Sequence, residues 1–359
     1  MDWSSPLDRS VVVAAARRLM AAGIAAAGLA VWAAAPADAE NVDAFRANQW
    51  LGRGVNLGNA LDAPLAATWA VRLRGDYFEA IKAAGFDSVR IPVAWSLHTA
   101  SQPPYAIEPS FLARVDWAID QALTRGLTVV LDDHHDIGME QKPDQNLARL
   151  TATWDQLARH YRGFSDKLFF ELLNEPSGAL SDAKWQEIMP VLLRTVRESN
   201  PNRTVIVGPG YWNSVDHLDR LELPPEDRHI IATIHYYVPL QFTHQGAGWM
   251  PGSDKWRGTT WTGTAQESAV LDRDFGKAAA WSARNSRPIY VGEFGAFQAA
   301  DMGSRANWTR AVAQAARKRG FSFAYWEFCS SFGAYDPVTL KWRTPLLEAL
   351  TADRSGDRQ

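Results

Sequence analysis

Cysteine is almost missing from this chain: Cys329 is the single one among 359 residues. An internal disulfide is therefore impossible, and stability has to come from a hydrophobic core. An excess of either charge is missing too. Lys and Arg number 37 against 40 Asp and Glu, a formal net of −3, and no Lys/Arg run offers a footprint for nucleic acid. Three motif-borne chemistries are also absent. No Gly-x-Gly-x-x-Gly cradles a dinucleotide, no Gly-x-Ser-x-Gly elbow follows a strand, and no His-x-His pair sits on an early strand, as metal-dependent hydrolase barrels usually require. Neither a cofactor nor a metal is expected.

Long apolar runs are confined to the N-terminal end. Arg17 and Arg18 precede an apolar stretch over 19–35 that ends in the small-x-small site Ala37-Asp38-Ala39. The stretch is short and alanine-rich for a membrane anchor, so residues 1–39 read as a secretory signal peptide; a retained anchor is the alternative. The paired arginines match twin-arginine export only loosely. The expected mature protein starts at Glu40, is secreted (extracellular or periplasmic) and is free of the membrane. It is expected to be a monomer, with one catalytic domain over 40–353 and a short tail over 354–359.

What the chain does have is tryptophan, sixteen of them. Many fall in predicted loops, where core packing does not explain them, and flat aromatic faces suit the apolar C–H faces of sugar rings. It also has a regular alternation. Strands are expected at 50–59, 86–95, 127–131, 167–173, 204–208, 230–237, 287–293 and 321–327. Helices lie between them, at 76–84, 110–124, near 153–161, around Trp185 to Val196, at 265–284 and around Trp308 to Ala316, with a last one at 342–350. Pro190 predicts a kink in its helix or a start there. Eight strands alternating with helices, without repeat or linker, point to an α/β fold, a single (β/α)8 TIM barrel; a doubly wound open sheet is the competitor. The long 239–263 stretch is expected to wall the cleft.

Two strands carry the chemistry. Lys167-Leu168-Phe169-Phe170-Glu171-Leu172-Leu173 is a nearly continuous apolar run, as in a strand buried on both faces, and it ends in Asn174-Glu175-Pro176. Arg287-Pro288-Ile289-Tyr290-Val291-Gly292-Glu293 ends likewise in a lone glutamate between glycines. A carboxylate at a buried strand's lip is costly unless it has work there. Two such groups at matching strand ends are what glycosidic bond cleavage needs. In a barrel the strand ends Arg90, His134, Asn174, Glu175, His235, Tyr237, Glu293 and Trp326 all converge on one face. The run Asp132-Asp133-His134-His135-Asp136 resembles a metal site in composition, but adjacent His134 and His135 should point opposite ways on a strand. Cys329, just past the last strand, reads as a small buried residue.

The ordered set Gly54-Val55-Asn56-Leu57-Gly58-Asn59, Arg90-Ile91-Pro92, Asp132-Asp133-His134-His135, Asn174-Glu175-Pro176, His235-Tyr236-Tyr237, Gly292-Glu293-Phe294-Gly295 and Tyr325-Trp326 resembles glycoside hydrolase family 5, and within it the bacterial endo-β-1,4-glucanases. The resemblance runs from Trp50 to the last helix. It implies a retaining enzyme acting on β-glucan polysaccharide or oligosaccharide, with Glu175 as acid/base and Glu293 as nucleophile. It implies that Asn174 bonds the sugar 2-hydroxyl, that Arg90 and Tyr237 hold Glu293 ionised, that His134 and His235 line the central subsite, and that Trp326 forms its floor. His135 matches only some members. Trp212 and Trp69 are candidate sugar platforms. On these roles Glu293, beside a guanidinium, should have a lowered pKa and Glu175 a raised one. The two carboxyl groups should stand roughly 5–5.5 Å apart. A mannanase, xylanase or mixed-linkage glucanase would share the same residues. A non-catalytic sugar-binding barrel would not need both glutamates, and a metal-dependent hydrolase would lose activity in chelator.

Overall fold

The computed structural model describes residues 42–64, 67 and 70–352. The signal-peptide and tail expectations, and Trp69, lie outside the described residues. Eight parallel strands close into a barrel in chain order: β1 Arg53–Asn56, β2 Ser88–Val93, β3 Thr128–Asp133, β4 Leu168–Glu171, β5 Val205–Val207, β6 Ile230–His235, β7 Ile289–Glu293 and β8 Ser322–Tyr325. β1 pairs with both β2 and β8, which excludes the open sheet.

The period-2 geometry of strands sorts the sequence into two cores. On β3 and β4, Val129, Leu131, Leu168 and Phe170 face the surrounding helices. Val130 and Phe169 face inward, joined by Ile206, Ile231, Tyr290 and Ala324. The next inward positions, two residues further along the same strands, are Asp132 and Glu171, both fully buried. An apolar barrel floor thus carries a charged layer directly towards the strand C-termini. The opposite end is closed by a helix over Ala44–Leu51, whose Ala44, Ala47 and Leu51 pack into the floor. That helix was not expected: Trp50 belongs to it and not to the first strand.

Other differences have local causes. The helix before β4 spans Pro143–His160, starting ten residues earlier than expected because Pro143 occupies its first turn. The helix containing Pro190 starts at Asp182, capped by the Ser181 side chain, and continues to Ser199. The 239–263 stretch holds a short helix, Leu240–Thr243, and a 3-10 turn, Ser253–Trp256. Tryptophan is partly a structural material here. Trp95, Trp154, Trp185 and Trp308 are buried. The indole N–H of Trp154 donates to the Leu172 carbonyl, that of Trp185 to Gly208 and that of Trp308 to Val238. Helices are thereby tied to the strand ends that carry the site.

Candidate active site

The site is built around Arg90, which projects from β2 into the charged layer and is fully buried. Its fork is completely used. Nε and Nη2 donate to the two carboxylate oxygens of Glu171 at 2.7 and 3.0 Å. Nη1 donates to Asn56 Oδ1 at 3.0 Å and to Glu293 Oε1 at 2.8 Å. Nη2 also reaches Asn174 Oδ1 at 2.7 Å, with Asp132 Oδ2 2.9 Å away. Only a guanidinium offers this many donors in one rigid plane. One cation thus faces three carboxylates from three strands, and it aims both Glu293 and Asn174.

Glu293 ends β7, opposite His235 of β6, where the register shifts between Ile234 and His235. The Tyr237 hydroxyl donates to Glu293 Oε2 at 2.8 Å. Glu175 follows β4 and shares a 2.7 Å hydrogen bond between its Oε1 and His235 Nδ1. Its side chain is one-quarter exposed, the only wet edge of the pair. Carboxylate oxygens of Glu175 and Glu293 and a ring nitrogen of His235 all lie within 4.8 Å of one another. That is the short spacing associated with double displacement, not the wider gap that leaves room for water.

Burial pushes the Glu175 carboxyl up to about 7; Arg90 opposes this and the Glu171 charge adds to it. Glu293 departs from expectation, because its carboxyl is raised and not lowered. Burial is the largest cause and outweighs Arg90, whose charge is divided with Asp132 and Glu171. Burial also pushes His235 down to about 4. Above that pH the ring is neutral, so what it offers Glu293 at 3.6 Å is an N–H dipole and not a full charge. Tyr237, buried beside Glu293, is raised far enough to stay a hydroxyl donor.

His134 and Trp326 form the opposite wall. Their rings stack at 5.2 Å with planes 4° apart. His134 Nδ1 is paired with Asp132 Oδ2 at 2.7 Å. Burial pushes this imidazole well down, so it too is neutral. Gly58 approaches the indole closely, leaving only 2.6 Å between a Cβ built there and Trp326 Cη2. His134 and His135 do not diverge as expected: their rings are 4.3 Å apart, and Asp62 approaches both within 4.8 Å. β3 ends at Asp133, so strand alternation no longer applies to them. Trp212 stands 49% exposed on the rim after β5, its backbone N–H bonded to the Pro176 carbonyl beside Glu175. Cys329 is buried, and its thiol is raised by burial and then by Glu327.

Apart from Trp212, which stands on the rim, the described residues expected at the site are in one constellation. Sequence reasoning missed its supports: Glu171, Asp132 and Asn56 around Arg90, and Asn213 behind His235. Glu171 did leave a signal, as the lone acid inside an apolar strand.

Comparison with known proteins agrees with this geometry. A family model described as cellulase (glycosyl hydrolase family 5) matches residues 54–331. Endoglucanase H of Acetivibrio thermocellus is 37% identical over 315 residues, covering 86% of this chain and 34% of that protein. Cellulase/esterase CelE of the same organism is 27% identical, with 83% and 39% covered. The chain therefore spans little more than a third of the length of these two curated relatives. Among solved structures, an endoglucanase superposes with a TM-score of 0.85 at 42% identity, and Thermotoga maritima Cel5A with cellobiose with a TM-score of 0.84 at 44% identity. Each covers 86% of this chain and 100% of its own. With the matched segment running from β1 past β8 and including both glutamates, the chain belongs to the cellulase family, glycosyl hydrolase family 5.

Proposed function

We propose that this chain is an exported, monomeric endo-β-1,4-glucanase that cuts internal bonds of cellulose or related β-glucans by double displacement. The observation that carries this reading is the approach of the Glu175 and Glu293 carboxylates within 4.8 Å around His235. Glu175 is the group that gives its proton to the glycosidic oxygen as the C1–O bond breaks, while ionised Glu293 attacks C1 and becomes a glycosyl ester. Esterification removes the Glu293 charge, so Glu175 then takes a proton from water, whose oxygen adds to C1 and releases Glu293 as carboxylate. In this reading Asn174, held by Arg90, bonds the sugar 2-hydroxyl, and Trp326 floors the ring being cleaved. His134, His135 and Trp212 supply further sugar contacts. Export rests on the 1–39 leader; among the described residues no helix is long and apolar enough to cross a membrane.

A second reading, activity on mannan as well, is favoured by one observation. Thermotoga maritima Cel5A, 44% identical, is also described in complex with a mannotriose substrate. Reducing-sugar release from soluble β-glucan, mannan and xylan separates the two.

The test of the mechanism is Glu293→Ala in azide. Turnover is lost, and azide restores it with a product of inverted configuration; substantial activity without azide removes Glu293 as nucleophile. In Glu175→Ala, natural substrates should slow far more than aryl glycosides with good leaving groups; equal losses remove Glu175 as acid.

A further inference from the structure

His235 touches the proposed acid, but its own second nitrogen is held by a residue that no motif singled out. After β5 the backbone passes through three consecutive left-handed residues, Tyr211, Trp212 and Asn213, with φ of 56°, 58° and 54°. Left-handed conformation is costly for residues with a Cβ, and a run of three persists only where the surroundings impose it. Its effect here is to throw Tyr211 and Trp212 out to the rim and drive the Asn213 side chain inward, where it is fully buried. Space for it exists because residue 208 is glycine: a Cβ there would lie 1.9 Å from Asn213 Oδ1.

The orientation of the Asn213 amide follows from its neighbours. One end contacts the Asn174 carbonyl, which can only accept, so that end is the NH2 group. The same nitrogen lies 3.2 Å from His235 Nε2. An amide nitrogen cannot accept, so Nε2 must present a lone pair. A neutral ring then carries its proton on Nδ1, the atom 2.7 Å from Glu175 Oε1.

We infer that Asn213 is a positioning residue: by donating to Nε2 it fixes the tautomer in which His235 donates to Glu175, and so lowers the pH at which Glu175 gives up its proton. This rests on the reading of Glu175 as acid/base. A His235 N–H aimed at the carboxyl favours the anion needed in the second step, and it checks the rise that burial imposes. The other charged or titratable groups facing this pair are Arg90 of β2, His134 after β3, Glu171 of β4, Glu293 of β7, Tyr237 after β6 and Glu140 of the helix Ile137–Gln141. All are unchanged by a substitution at 213.

The first test needs no variant. In the wild-type protein labelled with 15N-histidine, His235 should show a protonated Nδ1 and a bare Nε2 at pH 6; a protonated Nε2 overturns the inference and leaves the role of Glu175 untouched. The second is Asn213→Leu, which removes the donor and frees the ring to protonate at Nε2. Nδ1 then accepts from protonated Glu175, and the alkaline limb of kcat/KM should move up by about one pH unit, the equivalent of one exchanged hydrogen bond. In a His235→Phe background the same substitution should leave the limb where it is. A packing role alone would lower activity without moving the limb, or would act equally in both backgrounds, and either result refutes the proposal. Failure of the Glu175→Ala leaving-group test, with the Nδ1–H tautomer present, would locate the fault in the assignment of Glu175 instead.

Discussion

Tyr237→Phe isolates one contact of the proposed nucleophile. The hydroxyl donates to Glu293 Oε2 at 2.8 Å, and the ring stays packed against His244 and Phe332 when only the oxygen is removed. Hydrogen bonds to charged groups contribute about 1.5–3 kcal/mol, and one pKa unit corresponds to about 1.4 kcal/mol, so the Glu293 pKa should rise by roughly one to two units. The sign is fixed: the lost donor favoured the carboxylate, and the nucleophile must be ionised. The acid limb of kcat/KM therefore moves to higher pH by that amount. Stability follows the same linkage. Glu293 is already raised in the folded state, so its contribution is fully present below the unfolded carboxylate pKa and is lost as pH rises through the folded value. In the variant that loss deepens, so the stability penalty should be larger at pH 7 than at pH 4. Initial rates from pH 4 to 9 with urea unfolding at those two values measure both effects. An acid limb that stays put or moves down would refute the assigned role of the hydroxyl.

Arg90→Lys replaces a fork engaging Glu171, Asn56, Glu293 and Asn174 with a single ammonium. Leaving buried carboxylates short of a partner should cost about 3–5 kcal/mol, read by denaturant titration, and kcat/KM should fall at least ~100-fold through misplacement of Glu293. Gly58→Ala forces a methyl against Trp326, so the indole must shift and its stack on His134 is disturbed. KM should rise several-fold with a smaller change in kcat, and unfolding should become easier by about 1–3 kcal/mol.

The barrel was legible because its signals are local and repeated. Apolar runs of strand length, helical spacing and glycines after helices recur often enough to give the order of elements. The candidate site was legible because six of the eight strands carry towards their C-terminal ends a residue type that a core would not choose. What stayed hidden depends on contacts between distant segments. The raised pKa of Glu293 is one case: proximity to Arg90 predicts a lowering, but burial outweighs it, Arg90 is divided with Asp132 and Glu171, and only closure of the barrel brings these together. The pairing of His134 with His135 is another, since it depends on β3 ending at Asp133, just before the two histidines. Asn213 left no trace at all: its role comes from a left-handed turn and a glycine five residues before it.

The central claim is that Glu175 and Glu293 act on one sugar across the short gap of double displacement, their carboxylate oxygens within 4.8 Å of each other. Following the anomeric proton of the first product by NMR, before mutarotation, tests this most directly. The account predicts that the β-anomer appears first and then equilibrates; initial release of the α-anomer would contradict it.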